Sequence, residues 1–160
     1  MSLLVCVDID GTIADASVRF KEAGPEPFRH NAQDYTEWCK KVMNGIERDK
    51  PVKGMGALLA TLGALGLVDV VYVTSREEKW RGVTEEWMRN NRFPIFPLYM
   101  RPEGSWEETD ELKHRLVNKA KYTYKADEVI LIDDDQKGDI EKMCHKNGYT
   151  FLKAMSGGKE

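Results

Sequence analysis

The chain has 160 residues, enough for one domain with its own core and too few for two large ones. Hydrophobic residues make up 41% and charged residues 32%, which argues against a disordered chain and for a globular one. With 24 Lys and Arg against 27 Asp and Glu, the net charge of −3 excludes a protein that holds nucleic acid by bulk charge, though not one with a local basic rim.

Leu3 to Val7 is a short apolar run that reads as a buried strand, and it ends in Asp8-Ile9-Asp10-Gly11-Thr12, where Gly11 permits a turn. Residues 21–33 are rich in Pro, Gly and charge and read as a loop. Asp34 is a candidate N-cap, and Tyr35, Trp38, Cys39 and Val42 recur at helical spacing, so 34–45 is expected to be a helix. A second helix is expected over 53–66, with Met55, Leu58, Leu59, Leu62 and Leu65 on one side, although the segment holds four glycines. Asp69 to Thr74 reads as the second strand, 77–91 as a helix and Phe96 to Met100 as the third strand. Residues 107–121 read as a helix, Glu128 to Ile132 as the fourth strand, 136–147 as a helix ending at Gly148, and Tyr149 to Leu152 as a final strand. Strands alternating with helices predict a Rossmann-like, three-layer α/β/α fold with a mostly parallel sheet. The expected organisation is a single domain over 1–155 with a small cap insertion at about 20–50, followed by a flexible tail over 156–160.

No apolar run approaches the roughly 18 residues of a membrane span, and no signal-peptide pattern opens the sequence. Cys6, Cys39 and Cys144 are odd in number, far apart and outside any CxxC pair, which suits a reduced, cytoplasmic setting with the thiols used in packing. His30, His114 and His145 show no metal-ligand spacing. No obligate protein partner is inferred.

Chemistry concentrates at strand ends. Asp8, Thr74 and Asp133 each close a buried strand, and in open parallel sheets ligands sit outside the carboxyl ends of the strands. Two carboxylates spaced as Asp8-x-Asp10 suit one hard cation such as Mg2+, which would let an anionic carboxylate approach a phosphate. Asp8 then attacks phosphorus and becomes an aspartyl-phosphate, while Asp10 protonates the leaving oxygen and later deprotonates water. In Thr74-Ser75-Arg76 the hydroxyl groups and backbone N–H groups can hold phosphate oxygens, and Arg76 adds a two-pronged donor. Asp133-Asp134-Asp135 would repel one another without a cation, which makes Asp133 and Asp134 further metal candidates. Asp134 either joins the cation or orients a neighbouring lysine or a cation-bound water. Asp135 fits a helix N-cap for 136–147. Tyr35, Trp38 and Trp106 flank the expected opening, where they either stack on a base or pack within the cap.

Over about residues 8–152 the sequence resembles the haloacid dehalogenase (HAD) superfamily of phosphatases. The carriers are Asp8-Ile9-Asp10-Gly11-Thr12 as the first motif, Thr74 as the second and Asp133-Asp134 as the fourth. The resemblance implies Lys113 as the third-motif lysine, with Lys119 and Lys121 as nearby competitors. A narrower likeness is to the 3′-phosphatase domain of bacteriophage and bacterial polynucleotide kinases, through DIDGTIADASVRF, TSRE, LYMRPEG, DELK and IDDDQ. This implies that Arg19, Arg76 and Arg101 bind substrate phosphate. The chain departs from that pattern before the lysine, where it reads Glu107-Glu108-Thr109-Asp110, and it contains no GxxxxGK[ST] kinase loop. The implied activity is a Mg2+-dependent phosphomonoesterase acting on a nucleotide or a nucleic-acid 3′ end. The alternatives are a 5′-nucleotidase or small-metabolite phosphatase and, from another class, a non-catalytic phosphate-binding module.

Overall fold

The protein is described here by a computed structural model covering residues 1–155. The expected tail at 156–160 lies outside the described residues. Five strands form one parallel sheet: β1 (Leu3–Val7), β4 (Asp69–Glu77), β5 (Leu98–Arg101), β6 (Glu128–Asp133) and β7 (Thr150–Lys153), in the order β5-β4-β1-β6-β7. Two further strands, β2 (Ala14–Asp15) and β3 (Lys50–Pro51), pair as a small antiparallel ribbon. The helices are α1 (Ser17–Ala23), α2 (Ala32–Met43), α3 (Met55–Leu65), α4 (Arg81–Asn90), α5 (Thr109–Tyr124) and α6 (Asp139–Lys146). The fold is the expected three-layer α/β/α arrangement around a parallel sheet. No helix among the described residues is long and apolar enough to cross a membrane.

The layers follow from the two-residue period of the strands. Val5 and Val7 of β1 with Val70 and Tyr72 of β4 face one core, shared with Leu59 of α3 and Trp87 and Met88 of α4. Leu4 and Cys6 with Val71 and Val73 face the other, which holds Leu112, Leu116 and Val117 of α5 and Ile140 and Met143 of α6. A central strand buried on both faces must be apolar at every position, which is why β1 reads as an unbroken apolar run. Cys6 and Cys144 pack in the second core, and all three cysteines are free thiols.

Several boundaries differ from the sequence expectation. Strand β4 runs three residues past Thr74, and a register shift against β5 between Val73 and Glu77 bends its end. The expected helix over 77–91 therefore begins as a single 3₁₀ turn at Glu78–Trp80 before α4. Two of the four glycines in 53–66 fall outside α3, and Gly63 inside it packs against Phe96, where an added Cβ would lie 3.0 Å from the ring. Helix α1, the β2–β3 ribbon and a 3₁₀ turn at Ile46–Arg48 have no counterpart in the sequence reading. Helix α6 starts at Asp139, later than expected, yet Asp135 still caps it by accepting from the N–H groups of Ile140 (3.1 Å) and Glu141 (2.9 Å).

Candidate active site

Strand pairing brings the acids together. The Asp8 N–H donates to the Ile132 carbonyl at 2.9 Å, continuing the β1–β6 ladder, so Asp8 emerges beside Asp133 at the carboxyl ends of the two strands. The next five residues curl back: the N–H groups of Thr12, Ile13 and Ala14 all donate to the Ile9 carbonyl, with Ile9 and Ile13 fully buried as anchors. Gly11 adopts φ +81°, and its missing side chain makes room for Asp134, whose Oδ2 would lie 2.1 Å from an added Cβ.

Asp8, Asp133 and Asp134 each offer an oxygen, and these three atoms lie within 4.8 Å of one another. Lys113 projects from α5 into the same crevice, 3.0 Å from Asp8 and hydrogen-bonded to Asp133. Neither Lys119 nor Lys121 reaches this group. The Thr12 hydroxyl donates to Asp8 at 3.4 Å, and the Asp135 N–H donates to Asp133 at 2.8 Å. Burial and the neighbouring Asp133 push the proton affinity of Asp8 well above the ordinary carboxylate range, against the pull of Lys113. Burial and Asp133 also raise Asp134. Burial would lower Lys113, but Asp8 and Asp133 outweigh it and hold the ammonium charged. Three crowded carboxylates facing one ammonium are short of positive charge, and a set of hard oxygen donors fits a divalent cation of the Mg2+ type.

The Asp10 carboxylate is not part of that cluster, although the sequence reading counted it among the metal ligands. Two guanidinium groups hold it instead. Arg76 donates to both of its oxygens, at 3.0 and 2.6 Å, and Arg19 to one, at 2.7 Å. Burial alone would raise Asp10, but Arg76 and Arg19 together bring it down to about 2. Both arginines were expected to bind substrate phosphate. Arg19 is only 1% exposed and does not line the cavity; its remaining donors go to Asp49 and the Val42 carbonyl. Arg76 lines the cavity, yet its other nitrogen donates to Thr84 at 3.0 Å. Both guanidinium groups are therefore committed to carboxylates, Arg19 to Asp49 and Asp10 and Arg76 to Asp10, because a buried guanidinium needs carboxylate partners.

Thr74 is also turned inward: it is buried, its hydroxyl accepts from the Arg76 N–H at 3.1 Å, and it does not line the cavity. Ser75 and Arg101 do line it. Arg101 is braced by the carbonyls of Ser75 (3.1 Å), Ser105 (3.3 Å) and Glu107 (2.7 Å). The cavity itself has a volume of about 950 Å³ and is bordered by Asp8, Asp10, Lys113, Asp133 and Asp134. Its outer wall is aromatic, with Tyr35 5.8 Å from Trp38 and 5.9 Å from Trp106 between ring centres. Arg29 covers the Tyr35 ring at 5.1 Å and donates to the Glu107 carbonyl at 2.9 Å, linking the α1–α2 segment to the β5–α5 loop. Asp49, Thr84 and Arg29 did not stand out in the sequence, since none belongs to a motif and each is recruited by a tertiary partner.

Residues 2–154 match the family described as HAD superfamily, subfamily IIIB (acid phosphatase). The chain belongs to this family. No curated protein matches it. Among solved structures, this HAD phosphatase is similar to a "predicted phosphatase" from Clostridium acetobutylicum, with TM-score 0.74, 16% identity, and coverage of 98% of this chain and 86% of that one. It is also similar to a chain of the Pnkp1/Rnl/Hen1 complex, with TM-score 0.68, 16% identity and 99% of this chain covered. The HAD phosphatase spans about half of that longer chain, 48%. A HAD-superfamily hydrolase of subfamily IA from Geobacter sulfurreducens aligns with TM-score 0.60 and 13% identity over 95% of this chain and 86% of its own. At such identities these likenesses establish the fold; the family match establishes a phosphoric monoester hydrolase.

Gly11→Ala meets the Asp134 carboxylate and a disfavoured φ together, and is expected to cut phosphatase activity on the order of a hundredfold while the sheet stays folded; unchanged kinetics would contradict the close approach. Because Asp10 is depressed, its ionised form stabilises the fold above the unfolded value of about 4, and this contribution is lost as pH falls toward about 2. The stability advantage of wild type over Asp10→Asn in urea titrations is expected to shrink by about 2 kcal/mol across that window, and a constant advantage would contradict the double arginine clamp.

Proposed function

We propose that the chain removes phosphate from a nucleotide or a nucleic-acid 3′ end through a phosphorylated Asp8, with Mg2+ held by Asp8, Asp133 and Asp134. The observation that carries this reading is the Asp8 carboxylate standing beside Lys113 and two further acids in the lining of the cavity, with Asp10 two residues away. When bound, Mg2+ would offset the crowded negative charge, keeping Asp8 ionised and letting a phosphate dianion come near it.

Asp8 attacks phosphorus as the bond to the leaving oxygen breaks, giving an acyl phosphate on its side chain. Lys113 stays charged and hydrogen-bonds the carboxylate cluster and the phosphoryl oxygens. Asp10 is ionised in the resting protein, and the arriving phosphate dianion raises its proton affinity, so it takes up a proton and passes it to the leaving oxygen. In the second half Asp10 removes a proton from water, which attacks phosphorus and breaks the bond to Asp8. Ser75 and Arg101 lie along the cavity wall, where they meet the substrate phosphate or the group it is attached to. Residues 20–50 serve as the small cap, in a reducing, cytoplasmic setting.

The aromatic wall of Tyr35, Trp38 and Trp106 supports a substrate with a base. The similar Pnkp1/Rnl/Hen1 assembly is described as an RNA repair complex, which supports a nucleic-acid end. One observation favours a mononucleotide or small metabolite instead: the Tyr35–Trp106 contact and the Arg29 link to Glu107 tie two parts of the chain together at the cavity lining, which suits a small substrate better than a polymer end.

The test is a panel of 3′- and 5′-phosphorylated mononucleotides and oligonucleotides with Mg2+, using acid quenching and mass spectrometry to trap phosphorylated Asp8. Release from the 3′-phosphorylated oligonucleotide should be fastest, and Asp8→Asn should fold normally, lose turnover and trap nothing. Preference for mononucleotides would select the narrower substrate. Turnover by Asp8→Asn would end the proposed mechanism.

A further inference from the structure

One buried acid beside the site has no part in the reaction described above. Asp49 follows the 3₁₀ turn Ile46–Arg48, where the cap segment returns toward β3. Its backbone is fixed at both ends: the N–H donates to the Ile46 carbonyl at 3.1 Å, and the carbonyl accepts from the Trp87 indole of α4 at 2.9 Å. The side chain is 2% exposed and grips Arg19 from the side, with Nε at 2.8 and 3.0 Å from its two oxygens and Nη2 at 2.6 Å. Arg76 Nη2 stands 3.9 Å from the same carboxylate.

Asp10, Arg19, Asp49 and Arg76 thus form a closed square of alternating charge with no net charge. Three of its side chains are only 1–2% exposed, and Asp10 at 20% is the most open to the cavity, which Arg76 also lines. We propose that Asp49 is a positioning residue: by fixing Arg19 it fixes the direction of the Asp10 carboxylate, and so the delivery of a proton to the leaving oxygen. The proposal rests on the reading of Asp10 as general acid.

The physical reason lies in the fork of Arg19. Its planar guanidinium has the Nε–Nη2 edge on Asp49, Nη1 on the Val42 carbonyl, and the second Nη2 hydrogen on Asp10. Without the Asp49 charge, Arg19 remains buried with Asp10 as its nearest carboxylate and draws Asp10 inward, away from the cavity. A displacement of about 1 Å at a reacting group costs on the order of a hundredfold in rate. A purely structural brace for the cap would instead affect every substrate alike.

Leaving groups separate these outcomes. An alkyl phosphate such as β-glycerophosphate needs its leaving oxygen protonated, whereas p-nitrophenyl phosphate barely does. The quantity to read is kcat/KM, which covers steps only up to loss of the leaving group. Asp49→Asn is expected to lower kcat/KM on β-glycerophosphate by about thirty- to a hundredfold and on p-nitrophenyl phosphate by less than about threefold. Asp49→Glu should recover part of the loss, and Asp10→Asn/Asp49→Asn should be no worse than Asp10→Asn alone. If Asp49→Asn does not fold, Arg19→Lys carries the same comparison, because lysine keeps the charge but cannot span both carboxylates, and the same selective loss is expected. Equal losses on both substrates, or additive loss in the double variant, would overturn the role of Asp49. If Asp10→Asn shows no leaving-group dependence, the reading of Asp10 itself fails, and the role of Asp49 with it.

Discussion

Everything in the site depends on negative charge being held where it is costly to hold. Asp8, Asp133 and Asp134 bring oxygens within 4.8 Å of one another in a largely buried crevice, and Lys113 is the ammonium set against them. Removing carboxylates from water carries a penalty of several kcal/mol each unless charge and hydrogen bonds offset it. The protein accepts that penalty at the carboxyl ends of β1 and β6, where adjacent parallel strands end side by side. The fold makes the crowding unavoidable, and the resulting set of hard oxygen donors fits a divalent cation.

A second constraint divides the acids by environment. Asp8 and Asp10 are two residues apart, yet burial and Asp133 push one up while Arg76 and Arg19 pull the other down. The turn through Ile9 does this by sending successive carboxylates into different neighbourhoods, one of acids and one of guanidinium groups. Taken alone, these shifts run against the proposed roles of nucleophile and proton donor, so a bound cation has to keep Asp8 ionised and an arriving phosphate has to raise Asp10. The chain between β2 and β3 contributes to the second neighbourhood through Arg19 and Asp49.

Features written in local pattern were legible in the sequence. The apolar run of β1, the DxDGT turn and the acids after β6 could be read because a strand buried on both faces leaves an unbroken signal and its end is marked by charge. Lys113 was picked out from Lys119 and Lys121 by resemblance, and its ammonium lies 3.0 Å from Asp8. Partner selection was not legible. Nothing local tells Arg19 or Arg76 to turn toward Asp10, or Thr74 to accept from a backbone N–H, because these follow from which strands and helices stand opposite. Asp49 sits in a charged stretch that resembles any solvated loop, and only its burial against Trp87 and Arg19 gives it meaning. Helix α1 was hidden for a related reason: its seven residues are too few to set up a period.

The most direct test of the central claim is calorimetric titration of the protein with Mg2+ alone, repeated on Asp133→Asn and Asp134→Asn. The account predicts saturable binding of one ion to the wild type, with a rise in melting temperature, and loss of both effects in the two variants while their folds persist. Binding of equal strength in the variants, or no binding to the wild type, would contradict it.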